Sequence, residues 1–426
     1  MNSIKHASHS RFLLHNSIFF FGAAAVGALN YLYYPVMGRL LDTSSFGEVQ
    51  TLISLFLQIT IFLTVMGLVT INIVTNYTSI TLRNTVVLEF EKLALLISSI
   101  LLLLTAVFGK TIANFLNFHS FAPFIFLMLA LIASVPFTFR GAFLRGKQKF
   151  GLASLGNIIG AAGKLIFAVL LVLAGFGTAG AIGGLIVAHI LACMAVAVWA
   201  ARAGLAWPNK SHWIKLPNFK VLAPEFRYGL LVLIGSLIIT LQYSLDVVVV
   251  KHFFDPHTAG LYAGVASVAR IIFFVTASIS MVLISMVKIN APRMQNEKVL
   301  VKSLLLTAGV GLPVLVICVW QPAHVTTLLM GSAYAEVAWL LPRLSIAVFI
   351  VSILNVFVSY YLALRRYMLA PVLTVGALAT YALMYAHHAS LIDIVNSLLM
   401  GSLVMLAAII VWIGSRQAKE FLWQKS

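Results

Sequence analysis

About twelve apolar stretches follow one another along the sequence, near residues 14–37, 50–73, 92–109, 121–144, 152–174 and 178–201, then 228–250, 261–287, 302–320, 340–364, 369–386 and 391–415. A bilayer core about 30 Å thick is crossed by about 20 residues of helix rising about 1.5 Å each. Backbone groups in lipid must bond among themselves, which leaves helices or closed barrels. Uninterrupted apolar runs of this length belong to helices. Charged residues make up only 9% of the chain and mean hydropathy is +1.04, whereas a soluble domain carries about a quarter charged residues. The stretch from Leu14 to Met37 is too long for a signal-peptide core and lacks a small-residue cleavage site, so it reads as the first span. The expected fold class is an all-α polytopic membrane protein.

The positions of the basic residues test that count. With both termini inside, 22 of the 28 lysines and arginines fall in cytoplasmic segments and four, Arg39, Lys110, Lys251 and Arg343, on the other face. Lys164 and Arg270 lie within spans. Adding or removing one span scrambles this asymmetry, which is the one the positive-inside rule requires. The net charge of +17 is therefore a topology signal, and nucleic acid is not an expected partner. Cys193 and Cys318 both fall within spans and suit packing better than a disulfide or metal site. No cofactor or metal is expected.

Connections are short except for a basic linker over 206–227 that contains Pro208, Pro217 and Pro224. It separates an N-terminal lobe, 1–205, from a C-terminal lobe, 228–426, each with six spans. A repeat supports the division. Leu41-Asp42-Thr43-Ser44-Ser45-Phe46-Gly47 joins spans one and two, and Phe254-Asp255-Pro256-His257-Thr258-Ala259-Gly260 joins spans seven and eight. In both, an acid follows an apolar residue and a glycine stands five residues later. Leu144-Arg145-Gly146-Lys147, after span four, is echoed by Leu364-Arg365-Arg366-Tyr367 after span ten. Two homologous six-helix bundles are a transporter architecture, with the substrate between the halves.

Signatures of soluble enzymes are missing. Gly156 to Lys164 superficially looks like a phosphate loop but lacks its spacing and the hydroxyl residue after the lysine. Gly156, Gly160 and Gly163 read instead as a close-packing helix face. His387-His388 reads as a solvated outer turn, and neither the carboxylates nor the histidines show catalytic or metal spacing. Charges inside spans say more, because each costs about 2.5–3.5 kcal/mol at mid-bilayer unless it faces a cavity or a partner. Asp246 and Arg270 lie at similar depths, so they form either a structural ion pair or part of a site. Lys164 has no carboxylate at its depth, which favours a cavity-facing role. Arg140 and Arg39 sit near span ends, where snorkelling can satisfy them. The excess buried charge is positive, and Lys and Arg suit a phosphate-bearing anion.

At this point the residues resemble a family. Arg39 to Gly47, with Gly67-Leu68, is similar to the opening of the Wzx-type polysaccharide-biosynthesis flippases. Phe143-Leu144-Arg145-Gly146 with Phe150-Gly151, then Gly175-Phe176-Gly177 with Gly180, resemble their later joints. Leu245-Asp246 and Ala259-Gly260-Leu261-Tyr262 resemble the start of their second half. The order and spacing hold through nearly the whole chain. The resemblance implies kinship with MATE drug exporters and the lipid II flippase MurJ. It implies transfer of an undecaprenyl-diphosphate-linked oligosaccharide across the bacterial inner membrane, by alternating access of two lobes around a cationic cavity. A polysaccharide polymerase would extend the product, and H+ or Na+ would couple the cycle. Carried over by position, Arg39, Lys164 and Arg270, with Arg140, are candidates to hold the diphosphate, and Asp246 to couple or gate. The chain departs from the family at Asn72 and Asn76, where a basic residue is common, and at Val247, where one often follows the acid.

Two other readings stay open. A MATE-like antiporter of small molecules wants acids deep in the first lobe, and the spans as drawn contain none. A non-transporting scaffold of glycan-synthesis enzymes would keep its function without Lys164 and Arg270.

Overall fold

The computed structural model describes residues 22–206, 217–288, 291–364 and 369–423. Lys5, Arg11, Lys210, Lys215, Arg365, Arg366 and Lys425, the first eight residues of the expected span 14–37, and residues 207–216 of the expected linker lie outside them. The described residues are almost entirely helical and hold no strand. Helix α1 covers 22–40. Then come α2 (Thr43–Asn76), α3 (Ile80–Phe115), α4 (Ala122–Gly146), α5 (Phe150–Leu171), α6 (Gly177–Arg202) and α7 (Phe219–Phe253). They are followed by α8 (Pro256–Ala269), α9 (Ile271–Met286), α10 (Arg293–Trp320) and the short α11 (Pro322–Met330). A 3₁₀ segment, Ser332–Leu340, leads into α12 (Leu341–Ala363), and α13 (Leu369–Ala386) and α14 (Leu391–Trp423) complete the order.

Among the described residues, eight helices are long and apolar enough to cross a membrane, and nine if the bent pair α8–α9 is one span. That count takes Phe150–Arg202 as a single run, but the run is a hairpin. Gly175 and Gly177 at its break have φ of +89° and +49°, which L side chains resist. Beyond the break the chain doubles back: Gly156 packs on Val196, Gly160 on Ala192, Gly163 on Ala188, and Ala168 on Gly184. One index falls as the other rises, so α5 and α6 are antiparallel. Counting α1 and the 18 residues of α13, the latter about 27 Å long, brings the described residues to twelve candidate spans. The expected close-packing face of Gly156, Gly160 and Gly163 is the face against α6.

The sequence repeat marks a capping device. Asp42 takes extended geometry (φ −63°, ψ 161°) and its carboxylate accepts the Ser45 N–H. Asp255 repeats that conformation (φ −60°, ψ 156°) and accepts the N–H groups of His257 and Thr258, both at 3.0 Å. Each satisfies donors that a helix start leaves unpaired. Partial burial raises the Asp42 carboxyl, but hydrogen bonds from Ser45 outweigh it and hold the group below its usual range. Hydrogen bonds from Thr258 chiefly lower Asp255. A carboxyl depressed in the folded state stabilises above its unfolded pKa, and that stabilisation is lost as pH falls through the folded value. Asp42→Ala should therefore cost about 1 kcal/mol at neutral pH. The deficit relative to wild type should shrink below about pH 4, as read by thermal unfolding in detergent across pH.

Several helices outrun the expected spans. Between α2 and α3 only residues 77–79 are non-helical, because the Ser79 hydroxyl caps α3 through the Leu82 N–H. Arg83, Glu89, Glu91 and Lys92 consequently ride on a 36-residue helix instead of standing in a loop or at a span's edge. Glu89 and Lys92 pair at 3.0 Å one turn apart, which makes their burial tolerable. The stretch between spans nine and ten, read as a connection, folds into α11 and the 3₁₀ segment.

The chain divides into two compact units between Leu233 and Ile234. In the first, α4 packs against α2, α3 and α6, and α6 against α5. Val74, Val87, Phe143, Leu144, Val196 and Ala200 form part of its core. Tyr33 of α1 is fully buried and its hydroxyl donates to the Ala181 carbonyl of α6. In the second, α12 is central, packing on α9, α10 and α14, with Leu283, Leu354, Val356, Leu373 and Ile409 in its core. Large apolar side chains remain on the outside, Val107 at 72% and Trp320 at 79% exposure among them. Water would penalise such a surface, and lipid does not.

Candidate functional site

In the first unit the site is built around Lys164. Its Nζ donates to Asn30 Oδ1 at 2.6 Å and stands 4.6 Å from the centre of the Tyr33 ring. The amide oxygen and the ring's negative face both attract a cation without neutralising it. Tyr33 cannot swing away, since its hydroxyl is bonded to α6. Among the described residues Lys164 makes no ion pair. His189 of α6 stands close enough to feel its charge. That ring is held by a 2.7 Å contact between Nδ1 and the Leu185 carbonyl and is flanked by Phe56 and Phe137.

The other first-unit candidates are placed differently. Arg140 Nη2 donates to Glu91 Oε1 at 3.0 Å, and the Glu91 side chain is 1% exposed. The charge of Arg140 is thus balanced inside the bundle, where snorkelling was one expectation. Arg39 is exposed near the end of α1. It lies nine residues beyond Asn30, roughly 13 Å along the helix axis, so the fold does not bring it to Lys164.

The spans as drawn hold no acid, but the helices of the first unit run past them and carry buried acids. Glu48, Glu89 and Glu91 all lie on α2 or α3 and are buried. The spans as drawn from hydropathy ended short of them, because a charge lowers the average even where it is paired. Glu48 accepts the backbone N–H of His119 at 3.0 Å, contacts His119 Nδ1 at 2.9 Å, and accepts the Thr178 hydroxyl at 3.0 Å. It thereby ties α2 to the α3–α4 turn and to the start of α6.

In the second unit Asp246 and Arg270 meet. Arg270 Nη2 donates to Asp246 Oδ1 at 2.6 Å, and the Tyr262 hydroxyl donates to Oδ2 at 2.9 Å. Both side chains are nearly sealed, at 6% and 3% exposure. The Arg270 guanidinium also lies 5.2 Å from the centre of the Tyr243 ring. Arg270 stands where α8 and α9 meet at 43°. The helical bonds continue through it, from its own N–H to the Ala266 carbonyl and from the Phe274 N–H to its carbonyl. Arg270 itself therefore keeps both of its backbone partners at the bend.

Asn30, Tyr33, His189, Glu91 and Tyr262 were not foreseen as members of these clusters. Asn30 had a visible signal, a lone amide in an apolar run. Tyr262 stood in a quoted motif without a role. His387 is exposed as expected, whereas His388 stacks on Phe253 with ring centres 3.8 Å apart. Among the described residues no group of acids, histidines and cysteines could hold a metal.

A family described as polysaccharide biosynthesis protein matches residues 36–339 of the chain. No curated protein sequence matches it. Among solved structures, an inward-facing multidrug resistance MATE family transporter of the MOP superfamily superposes with a TM-score of 0.73 at 13% identity, over 93% of this chain and 95% of that one. Lipid II flippase MurJ in an inward closed conformation gives 0.71 at 13% identity, over 94% and 87%. A eukaryotic MATE transporter gives 0.67 at 16% identity, over 94% and 96%. At these identities the likeness speaks for the fold: two helical bundles in a membrane protein.

Proposed function

The chain belongs to the family of polysaccharide biosynthesis proteins, and from that premise we propose that it is a flippase for an undecaprenyl-diphosphate-linked oligosaccharide. In this reading it carries the lipid-linked sugar from the cytoplasmic to the periplasmic leaflet of a bacterial inner membrane, by alternating access, for assembly of a surface polysaccharide. Both termini face the cytoplasm, as the distribution of basic residues favours, and H+ or Na+ drives the cycle. The carrying observation is Lys164: a cation within a spanning helix whose neighbours are a neutral amide and an aromatic ring. A diphosphate supplies the missing counter-charge and several acceptor oxygens. Arg39, exposed toward the end of the neighbouring helix and too far along it to share the anion held by Lys164, meets another part of the substrate in this reading. Asp246 and Arg270 already satisfy each other and act as a gate that opens when the pair parts, while Arg140 holds Glu91 and shapes the first unit.

The test is genetic and chemical together. A strain lacking this protein should accumulate the lipid-linked repeat unit facing the cytoplasm, and the wild-type gene should restore surface polysaccharide. Lys164→Ala, at equal expression, should lower transfer about tenfold or more, the worth of one or two charge-assisted hydrogen bonds. Normal polysaccharide in the deletion strain, with no second flippase present, would sink the proposal. A scaffold would retain function in Lys164→Ala.

One observation favours a second reading. The buried Glu48 and Glu91 are the kind of acids that an ion-coupled antiporter of the MATE type uses. Each is already bonded, Glu91 to Arg140 and Glu48 to His119 and Thr178, which ranks this reading below the first. Ion-dependent efflux of a cationic dye from cells making the protein would reverse that order.

A further inference from the structure

Away from Lys164, three more cations of the first unit have no acid paired with them among the described residues. Arg83 lies in the first turn of α3, Arg145 is the next-to-last residue of α4, and Lys147 caps the end of α4. Phe143, fully buried, stands between two of them: the Arg83 guanidinium carbon lies 5.8 Å and the Lys147 Nζ 6.0 Å from the centre of its ring. Arg145, two residues from both Phe143 and Lys147, lies against Gly67 of α2. Of the described acids on α3, Glu89 is engaged with Lys92 and the Asn218 N–H, and Glu91 with Arg140. Among the described residues the side chains of Arg83, Arg145 and Lys147 make no hydrogen bond or ion pair.

A solvated basic rim does not look like this. Arg83 is only 7% exposed, and the Nε atoms of Arg83 and Arg145 are sealed without a partner. A buried guanidinium left unsatisfied is costly, because its desolvation is not offset. Like charges gathered at one ring add to that cost. Burial, and then the charge of Arg83, hold the Lys147 ammonium below its usual range. One ligand removes these costs together: a compact anion with several oxygens, which the forked guanidinium matches in pairs and an ammonium meets as a point charge. The start of α3 adds a partial positive charge from its helix dipole.

We propose that Arg83 and Lys147, with Arg145 alongside, form a phosphate-binding site at the end of the first unit where α3 begins and α4 ends. The ligand is a phosphate or diphosphate group, carried either by an anionic lipid headgroup or by a free anion. The site is separate from Lys164 and does not depend on the transport reading.

Thermal unfolding of the purified full chain in neutral detergent tests it, with chloride matching the ionic strength of every addition. Inorganic diphosphate, or phosphatidylglycerol against phosphatidylcholine in mixed micelles, should raise the midpoint in a concentration-dependent manner. Lys147→Gln and Arg83→Gln should each need about tenfold more ligand for the same rise. A response to diphosphate supports a free anion as the source, and a response to phosphatidylglycerol alone supports a headgroup. Lys147 is half-buried at the end of its helix, so its variant keeps the test usable if Arg83→Gln fails to fold. No rise with either ligand would overturn the proposal. So would variants that respond like wild type, or a response abolished by Lys164→Ala and untouched by Lys147→Gln.

Discussion

Arg270→Ala should destabilise the protein by roughly 3–5 kcal/mol, because it strands a carboxylate that the fold has sealed from solvent. Asp246 is 3% exposed, and its remaining donor would be the Tyr262 hydroxyl. One neutral hydrogen bond does not offset a buried charge. Asp246→Asn alone should cost less than Arg270→Ala, since the amide keeps an acceptor for Tyr262 and leaves Arg270 next to the face of Tyr243. Combining the two should recover part of the loss, giving a coupling energy of about 1–3 kcal/mol in a double-mutant cycle of unfolding midpoints in detergent. Additive losses would mean that the pair contributes nothing as a pair. The gating role proposed for the pair predicts a second signature. Variants that loosen the pair without unfolding the unit, such as Tyr262→Phe, should change the rate of transfer more than they change stability, because the pair sits at the bend between α8 and α9.

That pair also shows how far the sequence could be read. Hydropathy located the spans because lipid imposes one long apolar run per crossing, and the basic residues oriented them on paper. The similar depths of Asp246 and Arg270 allowed an ion pair, but depth alone does not say which faces of two helices turn toward each other. Asp42 and Asp255 were visible as a repeat, and their meaning as helix caps lies in backbone geometry. The acids of the first unit were missed for a physical reason. An average over a window treats Glu48 and Glu91 as breaks in the membrane segment, whereas partners far along the chain, His119, Thr178 and Arg140, let them sit inside helices. Sequence carries the cost of burying a charge more plainly than the partner that offsets it. Lys164 was legible as a buried cation, while its partners Asn30 and Tyr33 lie more than 130 residues away.

The hairpin that carries Lys164 should be the most fragile element to small changes of volume. At Gly184 an added Cβ would meet the Ala168 backbone, with Cα at 2.7 Å and the amide nitrogen closer still. Backbone cannot turn aside as a side chain does, so α5 and α6 would have to separate. Gly184→Ala should cost about 1–3 kcal/mol, the usual range for overpacking, and Gly184→Leu should abolish accumulation of folded protein. Two controls separate space from helix propensity. At Gly309 nothing stands within 4 Å of an added Cβ, so alanine there should be neutral or stabilise by about 0.5–1 kcal/mol. At Gly160 the nearest atom is the Ala192 Cβ at 3.6 Å, an ordinary contact, so alanine should be tolerated. Folded yield and unfolding midpoints across the three positions should follow that order, and equal tolerance at Gly184 and Gly309 would show that the helices are not in close contact. The same contacts flank Lys164, since Gly163 on one side packs on Ala188 and Ala168 on the other packs on Gly184. Prising α5 from α6 would shift Lys164 from Asn30 and Tyr33. Gly184→Ala protein that still folds should therefore lose transfer activity well beyond its loss in amount, and Gly160→Ala should not.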